Sequence, residues 1–309
     1  MRSGLRLYLA LACAAAAYAQ LVPAVRADLA RGDFAGAGKR IEDYRAAQGT
    51  TPEMLEAFSW LGRGALAAGK LDEAEKYAAE TRRRVLAELQ RRPLDLEKRL
   101  PIALGASIEV HGHVLAKRNA RTEAVAFLQE ELNRWGSTSI RTRIQKNIHL
   151  LSLEGKPAPA LEMNDWIGAR PSPVKEWAGR PVLLFLWAHW CGDCKNQMPA
   201  LVELQKQYGG DGLLIVAPTQ RFGYAAGGME TGPAEEKKYI ETVWNEHYRG
   251  LADAQVPLSE ENFKRYGAST TPTLVLIDRT GTVKLYHPGF MALDGLRAHV
   301  VKAMRRPAD

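Results

Sequence analysis

The chain has 309 residues, 46% hydrophobic and 25% charged, with 42 basic against 35 acidic side chains and a net charge of +7. That length serves two domains that each bury a core, and the apolar fraction excludes a disordered chain. Three cysteines are too few for a disulfide scaffold. The basic residues are scattered. Arg82-Arg83-Arg84 and Arg91-Arg92 stand on helical stretches beside Glu80 and Glu88, so they are taken as solvated helix faces, and no nucleic-acid partner is expected.

The N-terminus has the form of a secretory signal. Arg2 and Arg6 make a basic n-region, Leu7 to Ala17 an apolar h-region, and Ala17-Tyr18-Ala19 a cleavage site ahead of Gln20. Residues 1–19 are therefore expected to be removed, leaving a periplasmic or secreted protein. The apolar run is too short to span a bilayer and no later stretch reaches that length, so a soluble product without a membrane span is expected. Cys13 lies in the h-region, and its flank, Ala10-Leu11-Ala12, does not fit a lipoprotein box. Cys13 should leave with the signal. Arg2 and Arg6 leave too, lowering the net charge by two to +5. Cys191 and Cys194 would then be the mature chain's only cysteines.

From about Val25 to Gly155 the pattern is helical, rich in Ala, Leu, Glu, Arg and Lys. Met54, Leu55, Phe58, Leu61, Gly62 and Ala65 have the spacing of an apolar helix face. Gly69-Lys70-Leu71-Asp72-Glu73-Ala74 turns the chain, and Gly32-Asp33-Phe34-Ala35-Gly36-Ala37 carries the same half-motif upstream. Ile108, Gly112 and Ala124 echo Phe58, Gly62 and Ala74. This resembles tetratricopeptide-like helical hairpins, whose small residues let paired helices approach closely, although the spacing is irregular and an unrelated bundle is the alternative. Gly155-Lys156-Pro157-Ala158-Pro159 is the expected linker, because two prolines cannot continue a helix. The expected domains are residues 20–155 and 156–309.

Beyond the linker, strands and helices alternate. Trp166 to Arg180 is a lead-in to a buried strand, Val182 to Leu186. An active-site helix, Cys191 to Tyr208, follows, then a strand within Gly212 to Ala217. A Gly-rich insertion, Thr219 to Gly232, carries Phe222 and Tyr224 and is expected to border the site. Helices over Pro233 to Tyr248 and Glu260 to Tyr266 precede a hairpin, Thr273 to Ile277 with Val283 to His287. Met291 to Met304 closes the chain as an amphipathic helix.

Between the first strand and its helix lies Trp187-Ala188-His189-Trp190-Cys191-Gly192-Asp193-Cys194. A C-x-x-C at a helix start places Cys191 where backbone N–H groups and the helix dipole stabilise a thiolate. A zinc site needs four ligands, and only His189 stands nearby; the same shortage disfavours Cu(I). A structural disulfide across so short a loop removes little chain entropy. A redox-active dithiol is the remaining reading, with no metal and no cofactor. Cys191 is expected to attack, with a pKa near ~7, and Cys194 to resolve the mixed disulfide.

A second element lies in Ser269-Thr270-Thr271-Pro272, directly before an apolar strand, where a proline's missing N–H costs nothing. With Lys195 after the second cysteine, Pro199 five residues beyond it, and the Asp278-Arg279-Thr280-Gly281 turn, the chain from about Pro157 onward resembles the thioredoxin superfamily. Within it, the TlpA/ResA-like branch of secreted bacterial thioredoxins is most similar. Joined to the helical pattern upstream, the resemblance gives the expected fold class: an all-α helical-hairpin N-terminal domain followed by an α/β thioredoxin-like domain. It implies that Pro272 is cis and faces the dithiol, that Thr271 offers backbone groups to substrate, and that Trp190 is an apolar platform beside Cys191. It also implies an exported thiol:disulfide oxidoreductase that reduces or isomerises protein disulfides and is served by a redox partner protein.

One departure stands out. Where relatives carry a buried acid or amide, this chain has Phe185, which relays no proton. His189 titrates in the right range to substitute, the alternative being a surface histidine without a role, and Glu176 is a further candidate. Asp193 is expected to tune the site. Its carboxylate disfavours the Cys191 thiolate, against the opposing helix N-terminus, and makes the protein more reducing. His111, His113, His149, His247 and His287 form no ligand spacing. Peroxide reduction lacks the Pro-x-x-x-Thr-x-x-Cys pattern. The competing class is a helical scaffold or assembly protein whose thioredoxin domain is a docking module.

Overall fold

The computed structural model describes residues 21–172 and 174–305, so the expected signal peptide, with Cys13, lies outside the described residues. The chain forms two compact units, one ending at Ile144 and the other beginning at Gln145.

In the first unit, α1 (Leu21–Ala30), α2 (Phe34–Gln48), α3 (Pro52–Ala67), α4 (Leu71–Glu88), α5 (Arg99–Lys117) and α6 (Arg121–Trp135) pack as three successive hairpins. Each hairpin turns on one residue in the left-handed region: Gly32 (φ 78°), Gly69 (φ 75°) and Asn119 (φ 65°). The following N–H then reaches back five residues, Asp33 to Asp28 O at 3.0 Å, Lys70 to Ala65 O at 2.9 Å and Ala120 to Leu115 O at 3.0 Å. This closure satisfies carbonyls that the helix end leaves open. Gly62 backs onto α4, where a Cβ would stand 3.5 Å from Tyr77 Cβ, and Gly112 backs onto Leu128 of α6 at 3.1 Å. Both glycines thus sit where paired helices cross closely. The arginine run is consumed by acids: Arg82 binds Glu131 at 2.8 and 2.6 Å, while Arg83 and Arg84 share Glu80.

Helix α7 (Arg141–Ser152) carries the chain across the division between the units. His149 Nε2 donates to Arg265 O at 2.8 Å, and Leu153 is buried with Val283 and Tyr286. Glu154 accepts from Tyr286 N at 3.1 Å, and Gly155 N and Lys156 O pair with Val283. The expected boundary at 155/156 therefore falls within segments that pack in the second unit.

The second unit contains β1 (Trp166–Ile167), β2 (Val182–Leu186), α8 (Gly192–Tyr208), β3 (Leu214–Val216), α9 (Pro233–His247), β4 (Val256–Pro257), α10 (Glu260–Tyr266), β5 (Thr273–Ile277), β6 (Val283–Pro288) and α11 (Leu293–Met304). Four strands form one sheet in the order β3-β2-β5-β6, with β2 parallel to β3 and antiparallel to β5. Leu183 and Phe185 face a core shared with α8, α9 and α11, while Val182, Leu184 and Leu186 face Trp177, Phe263 and Tyr266. Burial on both faces explains why β2 reads as an unbroken apolar run. A separate antiparallel pair joins β1 to β4, in what the sequence shows only as a lead-in and a loop. Among the described residues, no helix is long and apolar enough to cross a membrane.

Candidate active site

The sheet register gathers four loops at one end. Leu186 pairs with Thr273, and Thr273 pairs with Pro288, so the chain leaves β2, enters β5 and leaves β6 at the same edge. Strand β3, parallel to β2, delivers the 217–232 insertion there as well. Cys191, Pro272, Phe290 and Phe222 are thereby brought to one end, although distant in sequence. Glu176 lies beyond the opposite end of β2 and is exposed. A cavity of about 440 Å³ beside Trp177, Tyr266 and the Asp278–Gly281 turn also opens away from the dithiol.

Cys191 is the N-cap of α8 and is joined to Cys194 by a disulfide, with Cα atoms 5.2 Å apart. Its Sγ accepts the Cys194 N–H at 3.0 Å. A sulfur so placed receives a backbone donor and the positive end of a long helix, both of which favour negative charge upon it. Cys191 is 4% exposed and Cys194 fully buried, so only the first can be approached from outside. Asp193 and Gly192 are exposed, and Pro199 lies within α8.

The Thr271–Pro272 bond is cis. Pro272 O accepts from Gly289 N at 2.7 Å, and Thr273 Oγ1 donates to Thr270 O at 2.6 Å, fixing the loop on both sides. Gln197, buried one turn after Cys194, binds Met291 through both ends of its amide, at 2.9 Å each. This clamp holds the loop bearing the exposed Phe290. Trp190, 52% exposed, stands immediately before Cys191, whereas Trp187 is buried, its Nε1 donating to Ala217 O at 3.1 Å. Phe185 is buried beside Tyr248, whose hydroxyl has no hydrogen-bond partner and is pushed up by burial.

His189 is 3% exposed, so it is not a surface residue. Its ring meets Phe222, Tyr224 and Tyr239 edge-on, each at 5.4 Å between centroids. Neither ring nitrogen makes a hydrogen bond, and the Tyr224 backbone stands near the ring. Burial holds the imidazole below its ordinary pKa, partly opposed by the Glu236 carboxylate. Glu236, 1% exposed in the first turn of α9, accepts the N–H of Phe222 and, at 2.9 Å, of Gly223. Phe222 in turn meets Trp190 at 5.6 Å. The aromatics in a glycine-rich loop signalled the insertion, but nothing local distinguishes Glu236 from Glu235 or marks Tyr239. Among the described residues, no cluster of three or more His, Cys, Asp or Glu is placed to hold a metal.

Residues 155–286 match the model of the AhpC/TSA family. The thioredoxin-like protein YneN of Bacillus subtilis is 30% identical over 138 residues, 45% of this chain and 73% of that protein. The thiol-disulfide oxidoreductase ResA of Geobacillus thermodenitrificans is 26% identical over 146 residues, 47% of this chain and 75% of ResA. A crystal structure of a thiol:disulfide interchange protein of the thioredoxin family from Chlorobium tepidum aligns with 17% identity and a TM-score of 0.40, covering 49% of this chain and 98% of that one.

Proposed function

Because this chain belongs to the thioredoxin-like thiol:disulfide oxidoreductases, we propose that Cys191 and Cys194 reduce or isomerise disulfides in exported client proteins. The carrying observation is the capped sulfur: Cys191 Sγ at the start of α8, receiving the Cys194 N–H and bonded to Cys194. In the reduced enzyme, Cys191 thiolate attacks one client sulfur, forming a mixed disulfide and expelling the other as thiolate. Cys194 then attacks Cys191 Sγ, closes the intramolecular disulfide and releases the second client sulfur. The client gains two electrons and two protons, and a partner dithiol restores the enzyme. Phe185 takes no proton and the Tyr248 hydroxyl is raised by burial, so the Cys194 proton passes to the departing client sulfur or to solvent. Trp190, Thr271 and Pro272 form the client-facing surface, and Asp193 disfavours the Cys191 thiolate.

The helical unit is proposed as a tetratricopeptide-like array for partner recognition or dimerisation. Its three like turns support that reading. Cleavage after Ala19 and a periplasmic or secreted location complete the proposal, supported by the h-region and A-x-A pattern.

The test is reduction of insulin by the protein in the presence of dithiothreitol. Wild type should accelerate precipitation of the insulin B chain, and Cys191→Ser should not. Cys194→Ser, reduced and then freed of dithiothreitol, should attack insulin yet accumulate a mixed disulfide visible by mass. A wild type that reduces no disulfide would leave the docking-module reading standing instead.

A further inference from the structure

The insertion after β3 reaches the dithiol through an aromatic contact, and a buried carboxylate bonds the backbone at the base of that contact. Glu236 is 1% exposed, and the hydrogen bonds it accepts come from the backbone N–H groups of Phe222 and Gly223. A carboxylate taken out of water is stable only where donors replace its hydration, and two converging amides serve that need. The reverse dependence is equally strong. Arg221, the preceding residue, is anchored on Asp165 and Pro233 O, and in the glycine-rich segment that follows, where Gly223, Gly227 and Gly228 all adopt positive φ, the two Glu236 bonds hold the Phe222–Gly223 backbone.

Phe222 lies between two groups of the 187–191 loop. Its ring meets Trp190 edge-on at 5.6 Å and His189 at 5.4 Å, with Phe263 behind it at 6.0 Å. Trp190 is half exposed and adjoins the attacking cysteine. An exposed indole with free rotamers is a poor platform, because a client must immobilise it on binding. Packed against a fixed ring, it is ordered in advance.

We propose that Glu236 is a positioning residue for client recognition: it pins Phe222, and Phe222 holds the Trp190 indole in the orientation that receives the segment flanking a client disulfide. The inference rests on the oxidoreductase reading and adds to it a specificity element outside the C-x-x-C. Its partner is a polypeptide disulfide with an apolar side chain beside the cysteine. A small aromatic disulfide that reaches Cys191 without spanning Trp190 gains nothing from it.

The experiment compares insulin with 5,5′-dithiobis(2-nitrobenzoate) as substrates for full-length wild type, Glu236→Gln and Phe222→Leu. Glutamine keeps the shape but turns a donor toward one of the two amides. Leucine leaves the carboxylate bonds intact and removes only the ring contact. Both variants should raise KM for insulin about fivefold, the size of one net hydrogen bond, with kcat held. Turnover of the small disulfide should stay within about twofold, and the double variant should be no worse than the weaker single one. Equal losses on both substrates, an unchanged insulin KM, or full additivity would each overturn the proposal. Should Glu236→Gln not fold, Phe222→Leu must still show the split, and its failure to do so counts against the proposal alone. Wild type inactive on both substrates overturns the oxidoreductase reading itself.

Discussion

At the scale of single residues, His189 sits in a cage assembled from segments distant in sequence. Phe222 comes from the insertion and Glu236 and Tyr239 from α9, and only the parallel pairing of β2 with β3 brings them together. The 3% exposure of His189 excludes the idle surface reading. That burial carries a pH dependence. The folded pKa lies below the ordinary 6.5, so the unfolded chain binds the proton more tightly and stability rises with pH. The contribution is whole above about pH 6.5 and is lost as pH falls from there toward the folded pKa. Glu236 resists this by favouring the imidazolium, and burial pushes the Tyr224 hydroxyl up, away from that range. His111 and His149 shift in the same direction, so wild type alone does not isolate the effect. We expect urea-unfolding free energy to drop between pH 7.5 and 5.5, and to drop less in His189→Phe. Parallel drops in the two proteins would contradict the assignment.

At the scale of elements, strands buried on both faces announced themselves, since β2 is an unbroken apolar run and β5 is one from Leu274 to Ile277. The β1–β4 pair did not, because two-residue strands are too short to show a period. Among the helical hairpins, the turns at Gly32 and Gly69 were visible as a repeated half-motif. The third showed only as a looser echo, because Asn119 takes the left-handed position usually given to glycine. Gly267, just past α10, shows what such a position can demand beyond φ. At φ 61° it is left-handed, and a Cβ would stand 2.7 Å from Lys146 Cα and still closer to Lys146 N. Gly281, in the β5–β6 turn at φ 83°, has open space where its Cβ would go. Gly281→Ala should therefore cost only the backbone term, about 1–2 kcal/mol, whereas Gly267→Ala adds a backbone clash worth about 1–3 kcal/mol more. Urea midpoints of the two variants measure the difference, and equal midpoints would mean that the α7 backbone yields freely at Lys146.

At the scale of the whole chain, two prolines after Gly155 mark a linker in the sequence, and linkers are where domains are usually cut. The packing instead assigns the residues ahead of those prolines to the second unit. Strand β6 is an edge strand, and its outer side is covered by this segment: Gly155 N donates to Val283 O at 2.8 Å, Val283 N to Lys156 O at 2.9 Å, and Tyr286 N to the Glu154 carboxylate. Leu153 fills the core on that face, and His149 ties α7 to the end of α10. An uncovered edge strand is a template for association, and losing a buried leucine costs about 2–3 kcal/mol before any hydrogen bond is counted. A fragment beginning at Gln145 should therefore unfold cooperatively, stay monomeric and reduce the small disulfide at the rate of the full chain. A fragment beginning at Pro157 keeps both cysteines, the cis-proline loop and all four strands of the sheet. It should nonetheless melt well below the longer fragment or aggregate on concentration, because its sheet edge and one core face are open. Thermal melts followed by circular dichroism, with light scattering on both fragments, decide the matter. Equal melting temperatures would show that residues 145–156 lie against the catalytic unit without stabilising it.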